Sequence, residues 1–160
     1  MNVAVVGPGA IGCLFAAKLH DAGLKTTLVH PDEERVKQLA SDGFTLEQDG
    51  KKHTYSVPAA TRIPNDTQLQ IVAVKSYSVE HVVLTENVPT LVLCNGLGNV
   101  EAVCGKVGSA NVLCGITYEA VTREDARVFR HVASGLTHVG AWTSCDPTPV
   151  IDALRRAGFE

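Results

Sequence analysis

The chain has 160 residues, of which 45% are hydrophobic and 19% are charged, and its formal net charge is −3. This composition is typical of one ordinary globular domain, and it argues against a nucleic-acid-binding surface because basic charge is not in excess and only 5% of the residues are aromatic. No segment reaches the roughly 20 apolar residues of a membrane span. The apolar N-terminus also has no basic residue before Lys18, as a secretory signal would require. We therefore expect a cytoplasmic protein.

Short apolar runs alternate with helical patterns along the chain, which predicts an α/β fold: a Rossmann-type, doubly wound and mostly parallel sheet over residues 1–160. The first half reads as a strand over Asn2–Val6, a helix over Ala10–Ala22, a strand over Lys25–Val29, a helix from Asp32 to near Gly43 and a hairpin around the turn at 48–51. The second half reads as strands over Gln70–Val74, Thr90–Cys94 and Val112–Gly115, with helices around Val79–Leu84 and Asn99–Lys106.

The pattern changes after residue 120. The segment ARVFRHVASGLTHVGA reads as two strands joined by a turn at Ser134–Gly135. A closing helix is predicted over Asp146–Ala157, and Gly158 fits the position just past a helix end. We expect a further strand beyond Glu160.

The five cysteines and the two late histidines predict neither disulfides nor a metal site. The cysteine count is odd and no pair has C-x-x-C spacing, so we interpret the thiols as small core residues in a reducing compartment. His131 and His138 have no acidic or cysteine partner at metal-ligand spacing. The cysteines are Cys13, Cys94, Cys104, Cys114 and Cys145.

A glycine-rich turn follows the first predicted strand and opens the first predicted helix. Gly7, Gly9 and Gly12 have G-x-G-x-x-G spacing in the structural context that a dinucleotide-binding turn requires. The first glycine permits the tight turn, the second admits a pyrophosphate to the backbone, and the third lets helix and strand pack closely. We therefore predict cofactor phosphates on the segment made of Gly7, Pro8, Gly9, Ala10, Ile11 and Gly12.

The end of the second strand normally distinguishes NAD from NADP, since a carboxylate there reads the ribose of NAD and a basic residue accommodates the 2′-phosphate of NADP. This chain has His30 at the strand end and no carboxylate in the NAD position. We predict NADP, with His30 and Arg35 near the phosphate. Asp32 and Glu33 fit equally well a solvated helix start with Asp32 as its N-cap.

Two polar residues stand at the ends of buried strands. Lys75 follows IVAV and Asn95 follows LVLC, so both are expected at the carboxyl edge of the parallel sheet, where ligands bind. A lysine there can hold an anionic group, and an asparagine can donate to a ribose hydroxyl or a developing alkoxide. Spacing alone also allows a solvated strand end for Lys75 and an Asx turn for Asn95.

Five segments in this order resemble the ketopantoate reductase family: GPGAIG, VKSYSV, CNGLGNVE, GITYEAV and HVASGLTHVGA. The resemblance implies an NADPH-binding N-terminal domain whose enzyme reduces ketopantoate (2-dehydropantoate) to pantoate, in pantothenate biosynthesis. It implies Gly7–Gly12 on the pyrophosphate, and Lys75 and Asn95 near the nicotinamide ribose and the 2-keto acid substrate. It also places the backbone of Ala120 and Val121 near the cofactor, and Thr117 in the substrate pocket.

The resemblance also indicates what this chain lacks. The family's proton-donating lysine and its substrate-binding asparagines and glutamate come from a helical C-terminal domain, which would follow Glu160. Lys75 does not match the proton donor, so we expect it and Asn95 to have supporting roles and the chain to bind NADPH without reductase activity. The alternatives are a reductase of another 2-keto acid or an opine-type substrate, and a stand-alone NADP(H) sensor. The surface near Gly115–Glu119 and Trp142 could form a homodimer.

Overall fold

The computed structural model describes all 160 residues. The strands are β1 (Asn2–Val6), β2 (Lys25–Val29), β3 (Phe44–Gln48), β4 (Lys51–Tyr55), β5 (Ala59–Ala60), β6 (Leu69–Val72), β7 (Thr90–Val92), β8 (Val112–Thr117), β9 (Ala120–Asp125), β10 (Val128–Ala133) and β11 (Thr137–Ala141). The helices are α1 (Ala10–Asp21), α2 (Glu33–Asp42), α3 (Asn99–Val107) and α4 (Thr148–Arg156), and short 3₁₀ helices cover Ser76–His81 and Ser109–Asn111.

The main sheet has seven strands in the order β11-β8-β7-β6-β1-β2-β5. Every pairing in it is parallel except β8 with β11. The chain builds outward from β1 in one direction through β2, then returns to the other side of β1 with β6. The predicted Rossmann-type sheet is therefore confirmed, with its topological switch point between β1 and β6, where such sheets bind ligands.

Both faces of the main sheet are covered, which explains why its strands are continuous apolar runs. The largest apolar cluster joins inward-facing residues of the main sheet to α1, α4 and β3. On the other face, Val103 and Val107 of α3 pack against Val92 and Val112. Seven of the twelve α1 residues are buried, because α1 lies between the main sheet and a second sheet. None of the helices combines the length and the apolar character needed to cross a membrane.

The second sheet was not predicted, and it corrects the interpretation of the late strands. It has four strands in the order β4-β3-β10-β9. The two strands predicted around Ser134–Gly135 exist, but the hairpin is wrong, because β10 pairs with β3 and β9 while β11 pairs with β8 of the main sheet. Gly135 lies in the segment that connects β10 to β11, and a Cβ on it would lie 2.5 Å from the carbonyl oxygen of Tyr118. This segment therefore crosses closely over the link between β8 and β9.

Other elements differ from prediction mainly at their ends. The β3–β4 hairpin and the helix end at Gly158 are confirmed. The strands predicted to reach Val74 and Cys94 end two residues earlier. The helix predicted around Val79–Leu84 is instead the 3₁₀ helix over Ser76–His81, after which Val82 returns to extended backbone, as suits a β-branched residue.

Candidate functional site

The glycine turn has a different spatial reason for each glycine. Gly7 has a φ of +98°, and a Cβ there would lie 2.6 Å from Val74 Cγ1. A Cβ on Gly12 would lie 2.0 Å from the carbonyl oxygen of Gly7, so α1 could not approach the turn. A Cβ on Gly9 would meet nothing within 4 Å, so this glycine faces open space. The turn is thus packed tightly against the protein at Gly7 and Gly12, and it is open to a ligand at Gly9.

The first turn of α1 presents unpaired donors beside that opening. Its N-cap is Gly9, which has no side chain to cap the helix, and the first turn contains no acidic residue. The backbone N–H groups of Ala10, Ile11 and Gly12 have no acceptor within the chain. Unpaired N–H groups and the positive end of the helix dipole favour an anion. The cradle fits the pyrophosphate of a dinucleotide, as the sequence predicts.

Lys75 and Asn95 lie side by side at the same edge of the sheet. β6 and β7 pair in parallel up to Val72 opposite Val92. Beyond the strands, a Cβ on Gly96 would lie 3.9 Å from Ser76 Cβ, so the segments that carry Lys75 and Asn95 remain neighbours. Val74, which precedes Lys75, is the residue that packs against Gly7. The geometry therefore brings the predicted lysine, asparagine and glycine turn to one crevice.

The side chains of Lys75 and Asn95 have no bonding partner within the protein. Lys75 and Asn95 are both exposed, and neither side chain makes a hydrogen bond or ion pair within the chain. The Asx turn considered for Asn95 does not form. Instead, buried Asn99 donates from its Nδ2 to the carbonyl oxygens of Asn95 and Gly96, at 2.8 and 3.3 Å. The loop is held through its backbone, and the Asn95 amide remains free to meet a ligand.

Two large apolar residues flank this edge and were missed in the sequence. Tyr77 is 80% exposed, and Leu97, between the two glycines after Asn95, is fully exposed. They border a shallow pocket between the 3₁₀ helix and the start of α3. Large apolar residues two positions after Lys75 and Asn95 were the available signal, since a loop tip ordinarily carries polar residues.

The end of β2 matches the helix-cap interpretation of its acidic residues. Asp32 is the N-cap of α2, and its Oδ1 accepts the N–H groups of Glu34 and Arg35. Half-buried His30 accepts the Asp32 N–H on Nδ1 at 3.2 Å, which leaves Nε2 available to donate. Arg35 donates to the carbonyl oxygen of Ala126 in the β9–β10 turn at 2.7 Å. Its guanidinium is engaged with the second sheet, where partial burial lowers its pKa.

The remaining predicted residues lie on the link between the two sheets. The Thr117 hydroxyl is paired with that of Thr137 at 2.9 Å and accepts the Glu119 N–H. Ala120 and Val121 begin β9, which packs along α1, and Val121 lies opposite His131. Ala120 and Val121 thus lie in a strand beside α1, while the Thr117 hydroxyl already has protein partners.

A buried ionic cluster holds this link in place. Glu119 bonds Lys18 of α1 through Oε1, at 2.9 Å, and His131 of β10 through Oε2. Lys18 also donates to the Gly158 carbonyl and lies 4.3 Å from the centre of the Phe159 ring. His131 is engaged by Glu119, which precedes it by twelve positions in the chain. A single lysine inside the apolar run CLFAAKL was the one sequence signal for this cluster.

Comparisons with known proteins point to one enzyme family. Residues 3–144 match the family described as ketopantoate reductase PanE/ApbA. The 2-dehydropantoate 2-reductase of Halobacterium salinarum is 28% identical over 158 residues, which cover 94% of this chain and 52% of that protein. The chain therefore spans about half the length of the curated relatives it matches.

Solved structures share the fold. A ternary complex of D-mandelate dehydrogenase with NADH and anilino(oxo)acetate superposes with a TM-score of 0.91 at 22% identity, covering all of this chain and 55% of that one. The 2-dehydropantoate 2-reductase of Geobacter metallireducens superposes with a TM-score of 0.85 at 22% identity, covering 99% of this chain and 56% of that one. Taken with the family match and the glycine-turn geometry, these findings show that the chain belongs to the ketopantoate reductase PanE/ApbA family.

Proposed function

We propose that this chain is the NADPH-binding domain of a two-domain reductase that converts 2-dehydropantoate to pantoate. The observation that carries the proposal is the convergence of the glycine turn with Lys75 and Asn95 at one edge of the parallel sheet. An anion cradle supplies cofactor binding, and two free polar side chains beside it supply contacts to the reacting groups.

Each part of the crevice has a chemical task in this proposal. The N–H groups of Ala10, Ile11 and Gly12 bind the pyrophosphate. Bound NADPH supplies the hydride. Lys75 attracts the substrate carboxylate and orients the nicotinamide ribose, and the Asn95 amide donates to the oxygen on which negative charge develops. The proton for that oxygen comes from the second domain, since exposed Lys75 serves in orientation rather than as the acid.

Titration of NADPH fluorescence with the 160-residue chain, together with an assay of 2-dehydropantoate turnover, tests the proposal. We expect saturable NADPH binding without turnover. Absence of binding would contradict the cofactor-domain assignment. Turnover at about 1 s⁻¹ or faster, an ordinary rate for an enzyme, would contradict the need for a second domain.

A second candidate is a reductase of another 2-keto acid. The structural likeness to D-mandelate dehydrogenase, solved with NADH and anilino(oxo)acetate, supports it. Substrate profiling of the full-length protein with both NADPH and NADH separates the candidates. A preference for an aryl 2-keto acid and NADH would favour the second over the first.

A further inference from the structure

The end of β2 carries no lysine or arginine for the 2′-phosphate of the proposed cofactor. NADPH differs from NADH by one phosphate on the adenosine ribose, and a basic residue directly after β2 would recognise it. His30 and Pro31 occupy that place, and Arg35 is engaged by the Ala126 carbonyl. A neighbouring element can supply a further cation for this phosphate.

The neighbouring element is β5, the short strand at the edge of the main sheet. It pairs with β2 in parallel, Val29 lying opposite Ala60, and the His30 N–H extends the pairing by donating to the Ala60 carbonyl at 3.1 Å. The chain then bends at Thr61 and Arg62, which follow β5 just as His30 and Pro31 follow β2. Adjacent strands lie about 4.8 Å apart, so the end of β5 lies beside the end of β2, where the basic residue is missing, and Arg62 comes two residues after it.

The backbone near Arg62 is held in place, whereas its guanidinium group has no partner within the chain. The next residue, Ile63, packs against the cluster of Ala4, Val6 and Val29 in β1 and β2, and thereby holds this backbone against the sheet. Arg62 itself is exposed and makes no ion pair or hydrogen bond within the chain. The nearest carboxylate along the chain, Asp66, is bound to Lys25 and Asn2 at the opposite end of the strands.

Acidic residues at the start of α2 make the surroundings of the β2 end negatively charged. Asp32, Glu33 and Glu34 are exposed at the start of α2. Asp32 is engaged in capping the helix, and Glu34 is paired with Lys37 at 3.0 Å. Without an opposing cation, these three carboxylates would repel a second phosphate. A free guanidinium two residues past the neighbouring strand offsets them and can bind a phosphate through two N–H groups.

We propose that Arg62 binds the 2′-phosphate of the cofactor, assisted by the His30 Nε2–H, and that it determines the preference for NADPH over NADH. The inference rests on the proposed function, because it assumes that a dinucleotide occupies the cradle at Gly7–Gly12. It goes beyond that function by assigning cofactor choice to a residue just after β5 rather than to the end of β2.

Calorimetric titration with adenosine 2′,5′-bisphosphate and with 5′-AMP tests this without any turnover assay. The two ligands differ only in the 2′-phosphate. We expect the 160-residue chain to bind the bisphosphate more tightly, and the Arg62→Gln variant to lose about tenfold in bisphosphate affinity while its 5′-AMP affinity stays unchanged. Arg155→Gln, which removes the same charge from an exposed position in α4, is the matched control and should change neither affinity.

The other outcomes overturn the inference in different ways. Equal losses for both ligands would assign Arg62 to the shared adenosine or 5′-phosphate, and no loss would exclude it as a contact. A wild-type chain that binds 5′-AMP with no preference for the bisphosphate would overturn the role of Arg62 and leave the proposed reductase function intact with NADH. Binding of neither ligand would overturn both.

Discussion

The start of α1 and the open edge at the ends of β6 and β7 face the same crevice, but they are held in different ways. The α1 region is built by close packing: Gly12 lies against Gly7, and Lys18 is bound to buried Glu119. The open edge carries Lys75 and Asn95 in solvent, with no protein partner for either side chain. The side chains of the α1 region are thus paired within this chain, whereas the open edge presents side chains that can bind a ligand.

Two lysines express the difference most clearly. Lys18 has a carboxylate, a carbonyl oxygen and an aromatic ring around its ammonium group. Lys75 has none of these. A side chain with many partners contributes to folding, whereas an exposed, unpaired side chain contributes little to stability and is free to bind something else. Substitutions in the two regions should therefore separate stability from binding.

The Gly12→Ala substitution should have the largest effect. Its Cβ would lie 2.0 Å from the Gly7 carbonyl oxygen, so the turn and α1 must move apart. We expect a loss of about 3 kcal/mol in the free energy of unfolding and loss of NADPH binding, measured by urea denaturation and fluorescence titration. The control is Gly105→Ala in α3, where a Cβ meets nothing within 4 Å. Wild-type stability of Gly12→Ala would show that the packing is not tight.

Lys18→Met should destabilise nearly as much, because it leaves Glu119 buried with only His131 as a partner. Breaking one member of a buried ion pair costs about 3 kcal/mol. The same substitution at exposed Lys75 should change the free energy of unfolding by less than about 0.5 kcal/mol. Thermal and urea unfolding of both variants measure the contrast, and equal effects would remove the distinction between the two regions.

Gly9→Ala should affect binding and not folding, although it lies in the packed region. Gly9 has a negative φ of −88°, and its added Cβ would point into open space. We expect unfolding within about 0.5 kcal/mol of wild type and NADPH affinity lower by about tenfold, because the methyl group stands where the pyrophosphate approaches. If NADPH binding were unaffected, the ligand would have to approach α1 elsewhere.

The smallest expected effect is a loss of folding stability at high pH, caused by ionisation of one buried thiol in each region. Burial raises the pKa of Cys13 in α1 to about 12 and that of half-buried Cys94 after β7 to about 11, from an ordinary value of 9.0. Folding therefore disfavours both thiolates. The stability that this provides is complete below pH 9 and declines as the pH rises through the folded pKa values.

Alkylation by iodoacetamide at pH 9, followed by mass spectrometry, should modify Cys94 faster than Cys13. The thiolate is the reactive form, and Cys13 is also fully inaccessible. Faster modification of Cys13 would mean that the α1 region opens more readily than its packing indicates. Unfolding measured between pH 8 and pH 10 provides the second check, with a decrease expected toward the higher pH.

Much of the fold and part of the site were determined by local sequence. Continuous apolar runs mark strands that are buried on both faces, and the spacing of Gly7, Gly9 and Gly12 marks a turn whose steric demands are local. Polar residues placed directly after such runs must emerge at the carboxyl edge of a parallel sheet. These features depend on neighbours within a few positions, and they were predictable for that reason.

Tertiary structure alone decided which strands pair and which charges meet. Period-two alternation marks β10 and β11 as strands, but it does not say that they belong to different sheets. Glu119 is separated from Lys18 by 101 positions, and β5 lies beside the end of β2 only because the chain returns to it. Such pairings depend on how the chain is folded back on itself, so no local pattern encodes them.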